Sequence, residues 1–279
     1  IFFLLVIGGV DFYLYYRRHQ NLQKMQDIVK ISVNALDMPK DQIEEDYQKL
    51  LQIVHEDKVK AVNDLESGKK DMAEYYTMWV HQIKTPIAAM RLLLQSEDTP
   101  KSRECAEELF HIEQYVEMVL GYLRTEDMSA DLKLARSSLD RIIREQIHKY
   151  AGIFVAKKLS LSYEGTDATV LTDEKWLGFV IGQILSNALK YTRTGGIEIW
   201  LEDERGNRTS NTAPAILVIA DTGIGIQAED LPRIFEKGYT GVNGREDNRA
   251  TGIGLYLSRK ILKKLGHEIT VDSQVDKGT

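Results

Sequence analysis

Apolar positions recur along the chain at spacings that change from one region to the next. Residues 1–16, IFFLLVIGGVDFYLYY, are nearly all apolar, broken by Asp11 and followed by Arg17 and Arg18. From His19 to Tyr76 the sequence turns polar and charged, with apolar residues still at helical spacing. Ile43, Tyr47, Leu50 and Val54 step by four, three and four, a heptad seam. The stretch LDMPKDQ ahead of it interrupts the helix, because a residue before proline avoids the α region. A second seam runs through Met72, Tyr76, Trp79, Ile83, Ile87, Met90 and Leu94, and a third through Leu109, Ile112, Val116, Val119 and Leu123. The polar, proline-bearing SEDTPK lies between them and predicts a turn. Two amphipathic helices with a short connection predict an antiparallel hairpin. A lone hairpin leaves much of each apolar face wet, so two copies are expected to pair into a four-helix bundle, which makes the chain a homodimer.

Beyond Ser137 the pattern changes to helix (LDRIIREQIHKYAGIFVAKK), strand (LSLSYEG), strand (ATVLT), a long helix from Thr172 to Tyr191, strands GIEIWLED and AILVIAD, glycine-rich loops and a last helix. Alternation of this kind predicts an α/β sandwich with helices on one face of a mixed sheet. The length of 279 residues allows about two domains. The formal charge of −6 speaks against a nucleic-acid partner, which would call for a basic patch. A single cysteine, Cys105, excludes an intrachain disulfide and a multi-cysteine metal site, and it fits a reducing compartment.

Residues 1–16 are slightly short for a spanning helix of about 20 residues. The positive pair Arg17–Arg18 stands where the cytoplasmic flank of a membrane helix belongs. Charges after the apolar run and the lack of a small-residue cleavage site argue against a secretory signal. With no initiator Met, residues 1–18 read as the end of a transmembrane helix in a fragment or processed product, and residues 19–69 as a helical linker, either a degenerate HAMP-type module or a passive coiled spacer.

The stretch WVHQIKTPIAAM, residues 79–90, places a proline inside a helical seam. Pro86 deprives the Gln82 carbonyl of its partner, a defect of about 3 kcal/mol in a helix interior, and it is expected to bend the helix. His81 falls two residues before Ile83, off the apolar stripe, and Thr85 follows one turn later on the same face. His19, His55, His111, His148 and His267 lack comparable surroundings and read as ordinary solvated or edge residues. The order His-Gln-Ile-Lys-Thr-Pro resembles the phospho-acceptor box of bacterial sensor histidine kinases, in which the histidine is followed by an acid, an aliphatic residue, a base, Thr or Asn, and Pro. A neutral imidazole is a competent nucleophile at cytoplasmic pH. Gln82 departs from the family pattern, whose acidic residue serves as the base; an amide can orient the ring or a water instead.

Four later segments resemble the ATP-binding domain shared by histidine kinases, Hsp90, gyrase and MutL, the GHKL type. In SNALKYT, residues 186–192, the resemblance makes Asn187 the Mg²⁺-holding asparagine and Lys190 a phosphate contact, with Tyr191 beside it in the nucleotide site. In DTGIGI, residues 221–226, Asp221 accepts from the adenine amine while Gly223 and Gly225 let backbone approach the nucleotide. RIFEKGYTG holds Phe235, which in the family anchors the mobile lid that follows. In TGIGL, residues 251–255, Gly252 and Gly254 open a helix whose N-terminal amides can receive phosphate. Gln183 stands where gyrase-like ATPases carry the glutamate that activates water, so rapid hydrolysis is disfavoured and transfer to a histidine is expected.

On this resemblance residues 70–128 form the dimerisation and phosphotransfer domain, and residues 129–279 the ATP-binding domain, which lacks its last strand. The chain is then expected to be a membrane-bound kinase with its catalytic domains in the bacterial cytoplasm. It would phosphorylate His81 from ATP and Mg²⁺ and pass the group to an aspartate of a response regulator. Thr85 in the family helps place the water that dephosphorylates the regulator. The His-Gln variant beside a membrane segment resembles the intramembrane-sensing kinases that serve bacitracin- and antimicrobial-peptide-detoxifying ABC transporters. The other reading is a non-enzymatic nucleotide-binding receptor, distinguished by whether His81 is modified.

Overall fold

The computed structural model describes residues 2–25, 38–39, 41–96, 99–203, 205–209, 216–241 and 251–279. The chain divides into two units, Ile1–Tyr75 and Tyr76–Thr279. In the first, helix α1 spans Phe2–Met25 and a long helix, α2, begins at Gln42 and continues to Gln95 in the second. Asp41 accepts the Glu44 amide at 2.8 Å, which starts α2, and the acidic Glu44 and Glu45 suit the positive end of the helix dipole. No described helix is long and apolar enough to cross a membrane. Ile43, Tyr47, Leu50 and Val54 are each more than half exposed, so this seam is not covered by any of the described residues. Of LDMPKDQ, residues 36, 37 and 40 lie outside the described residues, and 38–39 are not helical.

The second unit opens with the expected hairpin. Helix α2 continues through Pro86 to Gln95, so the proline removes one hydrogen bond without ending the helix. Helix α3, Pro100–Asp131, starts at Thr99, which caps the Ser102 amide at 3.0 Å while Ser102 caps Thr99 in return, with Pro100 at the first helical position. The two helices close on Val80, Ile87, Leu109 and Val116, with Ile83, Leu94 and Leu120 packed around them. Val80, outside the expected seam, is the most buried of these at 1% exposed. Val80, Ile87 and Leu94 repeat at seven residues and face inward; Trp79, Met90, Ile112 and Val119 form a second apolar edge that stays exposed in the single chain. The stripe is therefore wider than one seam, as suits a helix that meets neighbours on two sides.

After the hairpin, β1 (Ala135–Ser138) pairs antiparallel with β3 (Thr169–Thr172). Helix α4, Leu139–Lys157, is capped by Ser138 and ends on Lys158 in the left-handed region. The main sheet is built on β4, Gly196–Glu202. Strand β2 (Ser160–Tyr163) pairs parallel with it, β6 (Ile216–Asp221) runs antiparallel along its whole length, and β5 (Arg208–Thr209) meets its end. Ile197, Ile199 and Leu201 of β4 point into the core, and Glu198, Trp200 and Glu202 alternate away from it. Helix α5, Glu174–Tyr191, is capped by Asp173, and α6, Gly254–Leu265, stops at Gly266 with φ 77°.

Helices α4, α5 and α6 cover the inner face of the sheet. Ile143 and Tyr150 of α4, Ile181 and Leu185 of α5, and Leu257 and Ile261 of α6 meet β4 in one core. The fold is thus α plus α/β: a helical N-terminal region followed by an α/β sandwich. β1 and β5 were not expected, since ARSS and RT carry no alternating apolar signal. The second half of α3 packs on the sandwich: Met118 enters the core, Tyr150 Oη donates to Gln114 Oε1 at 2.7 Å, and Lys264 Nζ donates to the Thr125 carbonyl at 2.6 Å.

Candidate functional site

His81 follows buried Val80 by one residue, a rotation of about 100° around the helix, which places the imidazole on the exposed side. Gln82, Thr85 and Pro86 are exposed as well. The Thr85 hydroxyl donates to the His81 carbonyl at 3.3 Å, so it is engaged with backbone rather than with the ring. None of these residues lines the large cavity of the sandwich.

That cavity, about 1340 Å³, is bounded by Asn187, Lys190 and Tyr191 at the end of α5, Asp221 at the end of β6 and Gly225 beyond it, and Gly252 and Gly254 at the start of α6. It is larger than a nucleotide needs because it continues along β6 and the segment 268–272. The Lys190 ammonium stands 5.1 Å from the centre of the Tyr191 ring. Ile253 precedes α6 without a side-chain cap, which leaves the first amides of the helix to an anion. Gln183, one turn before Asn187, reaches this helix start: a Cβ at Gly254 would stand 2.8 Å from Gln183 Oε1.

Two of the glycines lining the cavity are required both by backbone angle and by contact with backbone. Gly225 has φ 67°, and a Cβ there would stand 2.2 Å from the Gln274 carbonyl oxygen. Gly252 has φ 63°, and its Cβ would stand 2.4 Å from the backbone of Gly238, whose amide donates to the Gly252 carbonyl at 2.9 Å. Gly223 lies outside the cavity lining and donates its amide to Asp221 Oδ1 at 2.8 Å. Burial raises the Asp221 carboxyl above its ordinary range, partly offset by the backbone at Gly223 and Thr279 and by the Thr192 hydroxyl.

Phe235 also lies outside the lining; the Arg259 guanidinium stands 5.3 Å from its ring centre. Residues 242–250 of the expected lid lie outside the described residues, but its two ends are tied to α3. Lys237 Nζ donates to Tyr122 Oη at 2.6 Å, and Thr251 Oγ1 reaches Met118 Sδ at 3.4 Å. At the base, Tyr239 Oη donates to Asp230. These lid-base and α3 residues were not singled out in the sequence, where nothing marks a contact more than a hundred residues long. Among the described residues no cluster of three His, Cys, Asp or Glu can hold a metal. Asn187 in the cavity fits a Mg²⁺ ion that keeps most of its ligands from phosphate and water.

The family described as histidine kinase-, DNA gyrase B- and HSP90-like ATPase matches residues 172–279, which contain the whole glycine-lined cavity rim, and ATP binding follows from it. The chain is 30% identical over 238 residues to the sensor histidine kinase YxdK of Bacillus subtilis, covering 84% of this chain and 70% of that protein. It is 30% identical over 267 residues to the sensor protein BceS of Halalkalibacterium halodurans, covering 95% and 76%. The crystal structure of full-length ShkA in complex with AMPPNP aligns with a TM-score of 0.51 at 23% identity, over 74% of this chain and 44% of that one, a likeness of fold.

Proposed function

This chain belongs to the sensor histidine kinases, which are ATP-dependent protein-histidine kinases, and on that premise we propose that His81 is its phospho-acceptor. The observation that carries the reading is the convergence of Asn187, Lys190, Asp221 and the two geometrically required glycines on one cavity, in a chain that also exposes His81 in its acceptor box.

In this account Asp221 accepts from the adenine amine, Lys190 and the first amides of α6 hold phosphate oxygens, and Asn187 holds Mg²⁺, which would neutralise charge on the phosphates. A ring nitrogen of His81 attacks the γ-phosphorus, the bond to the bridging oxygen breaks, and ADP leaves. The proton lost from the ring passes to solvent, with the Gln82 amide orienting the ring or a water, since an amide is no base. The phosphoryl group then moves to a carboxylate of a response regulator, the bond from nitrogen to phosphorus breaks, and the ring takes a proton from solvent to restore the neutral imidazole. Gln183 supplies no base for water at the helix start it touches, which favours transfer over hydrolysis.

Exposed Trp79, Met90, Ile112 and Val119 support pairing of two hairpins in a homodimer. The apolar residues 1–16 and the His-Gln order support a place at the bacterial membrane, with the catalytic domains in the cytoplasm and a role in sensing antimicrobial peptides beside an ABC transporter. The test is incubation with γ-labelled ATP and Mg²⁺. Acid-labile, alkali-stable label on the protein is expected; nucleotide binding without such label would leave a receptor and no kinase.

A further inference from the structure

Thr192 is the C-cap of helix α5, and its amide closes the last turn on the Ala188 carbonyl at 3.0 Å. The residue is fully buried at 0% exposed, and its hydroxyl oxygen has no aligned hydrogen-bond partner among the described residues. Buried hydroxyls are normally satisfied, so an exception asks for a use. Gly223 sits between the end of α5 and Asp221, since a Cβ there would stand 2.8 Å from the Tyr191 carbonyl oxygen and 2.7 Å from Asp221 Oδ1, and in this setting the Thr192 hydroxyl favours the ionised form of the carboxyl. The surrounding frame is fixed: the Gly223 amide holds Asp221 Oδ1 at 2.8 Å, the Asp221 amide donates to the Thr279 carbonyl at 2.9 Å, and the Ile224 amide reaches the Tyr191 carbonyl at 3.3 Å.

Where adenine presents an amine, guanine presents a carbonyl. An ionised carboxylate accepts from the first and repels the second, whereas a protonated one can donate to the carbonyl. We propose that Thr192 is the positioning residue of the adenine pocket: with nucleotide bound its hydroxyl aligns onto the Asp221 carboxylate, leaves the outer oxygen to the adenine amine, and so sets the preference for adenine over guanine. This inference rests on the reading of Asp221 as the adenine acceptor.

The groups that act on the Asp221 carboxyl are uncharged: the backbone at Gly223 and Thr279 and the Thr192 hydroxyl. The other titratable side chains lining the same cavity are Glu107, Glu108, His111 and Tyr115 from α3, Lys157 from α4, Lys190 and Tyr191 from α5, Glu202 from β4, Asp230 and Tyr239 from the lid base, and His267, Glu268 and Asp272 from the C-terminal segment. Removal of the hydroxyl takes away one of three influences that oppose burial, so the carboxyl would take up its proton at higher pH.

The experiment titrates ATP and GTP, each with Mg²⁺, into the full chain from mildly acidic to neutral pH. Thr192→Val, close in shape, is expected to weaken ATP binding about tenfold, the scale of one hydrogen bond to a charged group. It should also move the acid fall-off in ATP affinity to higher pH and narrow the ATP-to-GTP ratio. Thr192→Ser, which keeps the hydroxyl, should restore all three. Wild-type affinity and pH profile in Thr192→Val would overturn the proposal, as would equal losses in the valine and serine variants, which mark a packing role. If Thr192→Val does not fold, Thr192→Ala against Thr192→Ser carries the same comparison. Asp221→Asn separates the two levels: undiminished ATP binding there removes the adenine reading itself, whereas a loss there beside normal binding in Thr192→Val removes only Thr192.

Discussion

Gly252→Ala should disable phosphotransfer from a distance of one methyl group. At φ 63° an alanine costs about 1–2 kcal/mol for its left-handed backbone alone. The larger effect is steric. Its Cβ would stand 2.4 Å from the Gly238 carbon and 2.6 Å from the Tyr239 carbonyl oxygen, where ordinary contact begins at 3.4 Å. Both neighbours are backbone, so the base of the lid and the start of α6 must separate by about 1 Å, and a displacement of that size can cost roughly a hundredfold in rate. Gly206→Ala is the control: it shares a positive φ of 79° but has nothing within 4 Å of its Cβ. Thermal melts and labelling rates of both variants make the comparison. Similar small losses of stability, with phosphotransfer collapsing only in Gly252→Ala, are expected. Equal rates in the two would refute the reasoning that the Gly252–Gly238 contact shapes the nucleotide site.

Asp221→Asn should weaken ATP binding and yet raise the melting temperature at neutral pH. Burial raises this carboxyl's pKa in the folded chain, so its contribution to stability is present on the acid side and is lost as pH rises through the raised value; an amide escapes that loss. Calorimetric titration and melting curves across pH check both signs, and the stabilisation should vanish in acid. Asn187→Asp should reduce Mg²⁺-dependent nucleotide use, seen as a changed Mg²⁺ requirement in the labelling reaction. Thr85→Ala should keep autophosphorylation within a few-fold while losing most phosphatase activity toward the cognate regulator; a parallel fall in both, measured on the same preparation, would remove Thr85 from the reverse reaction.

Much of the sandwich was legible because its periodicities are strong. Ile197, Ile199 and Leu201 alternate with Glu198, Trp200 and Glu202, and the glycine boxes mark turns that tolerate no Cβ. The hairpin was legible as two helices, but not as to which edge closes within one chain. Val80 and Trp79 are adjacent apolar residues, and only packing assigns the first to the interior and leaves the second exposed. β1 and β5 have polar sequences and exist through their partners, β3 and β4. The seat of α3 on the sandwich was invisible for a similar reason. Gln114, Tyr122 and Thr125 carry no periodic signal of their own, and their bonds to Tyr150, Lys237 and Lys264 form only after the chain has folded. In the site, the motifs pointed to Asn187, Lys190, Asp221, Gly225, Gly252 and Gly254, which do share one cavity, whereas Gly223 and Phe235 lie outside its lining. They did not mark Thr192, because a buried hydroxyl looks in sequence like any other helix end.

The central claim, that this chain carries its phosphoryl group on His81, is tested most directly by His81→Gln. The histidine is exposed and the hairpin core closes on Val80 and Ile87 without it, so the variant should fold as before and bind nucleotide with unchanged affinity. Incubated with γ-labelled ATP and Mg²⁺, the wild-type chain should acquire acid-labile, alkali-stable label and His81→Gln none. Undiminished label in His81→Gln would contradict the account.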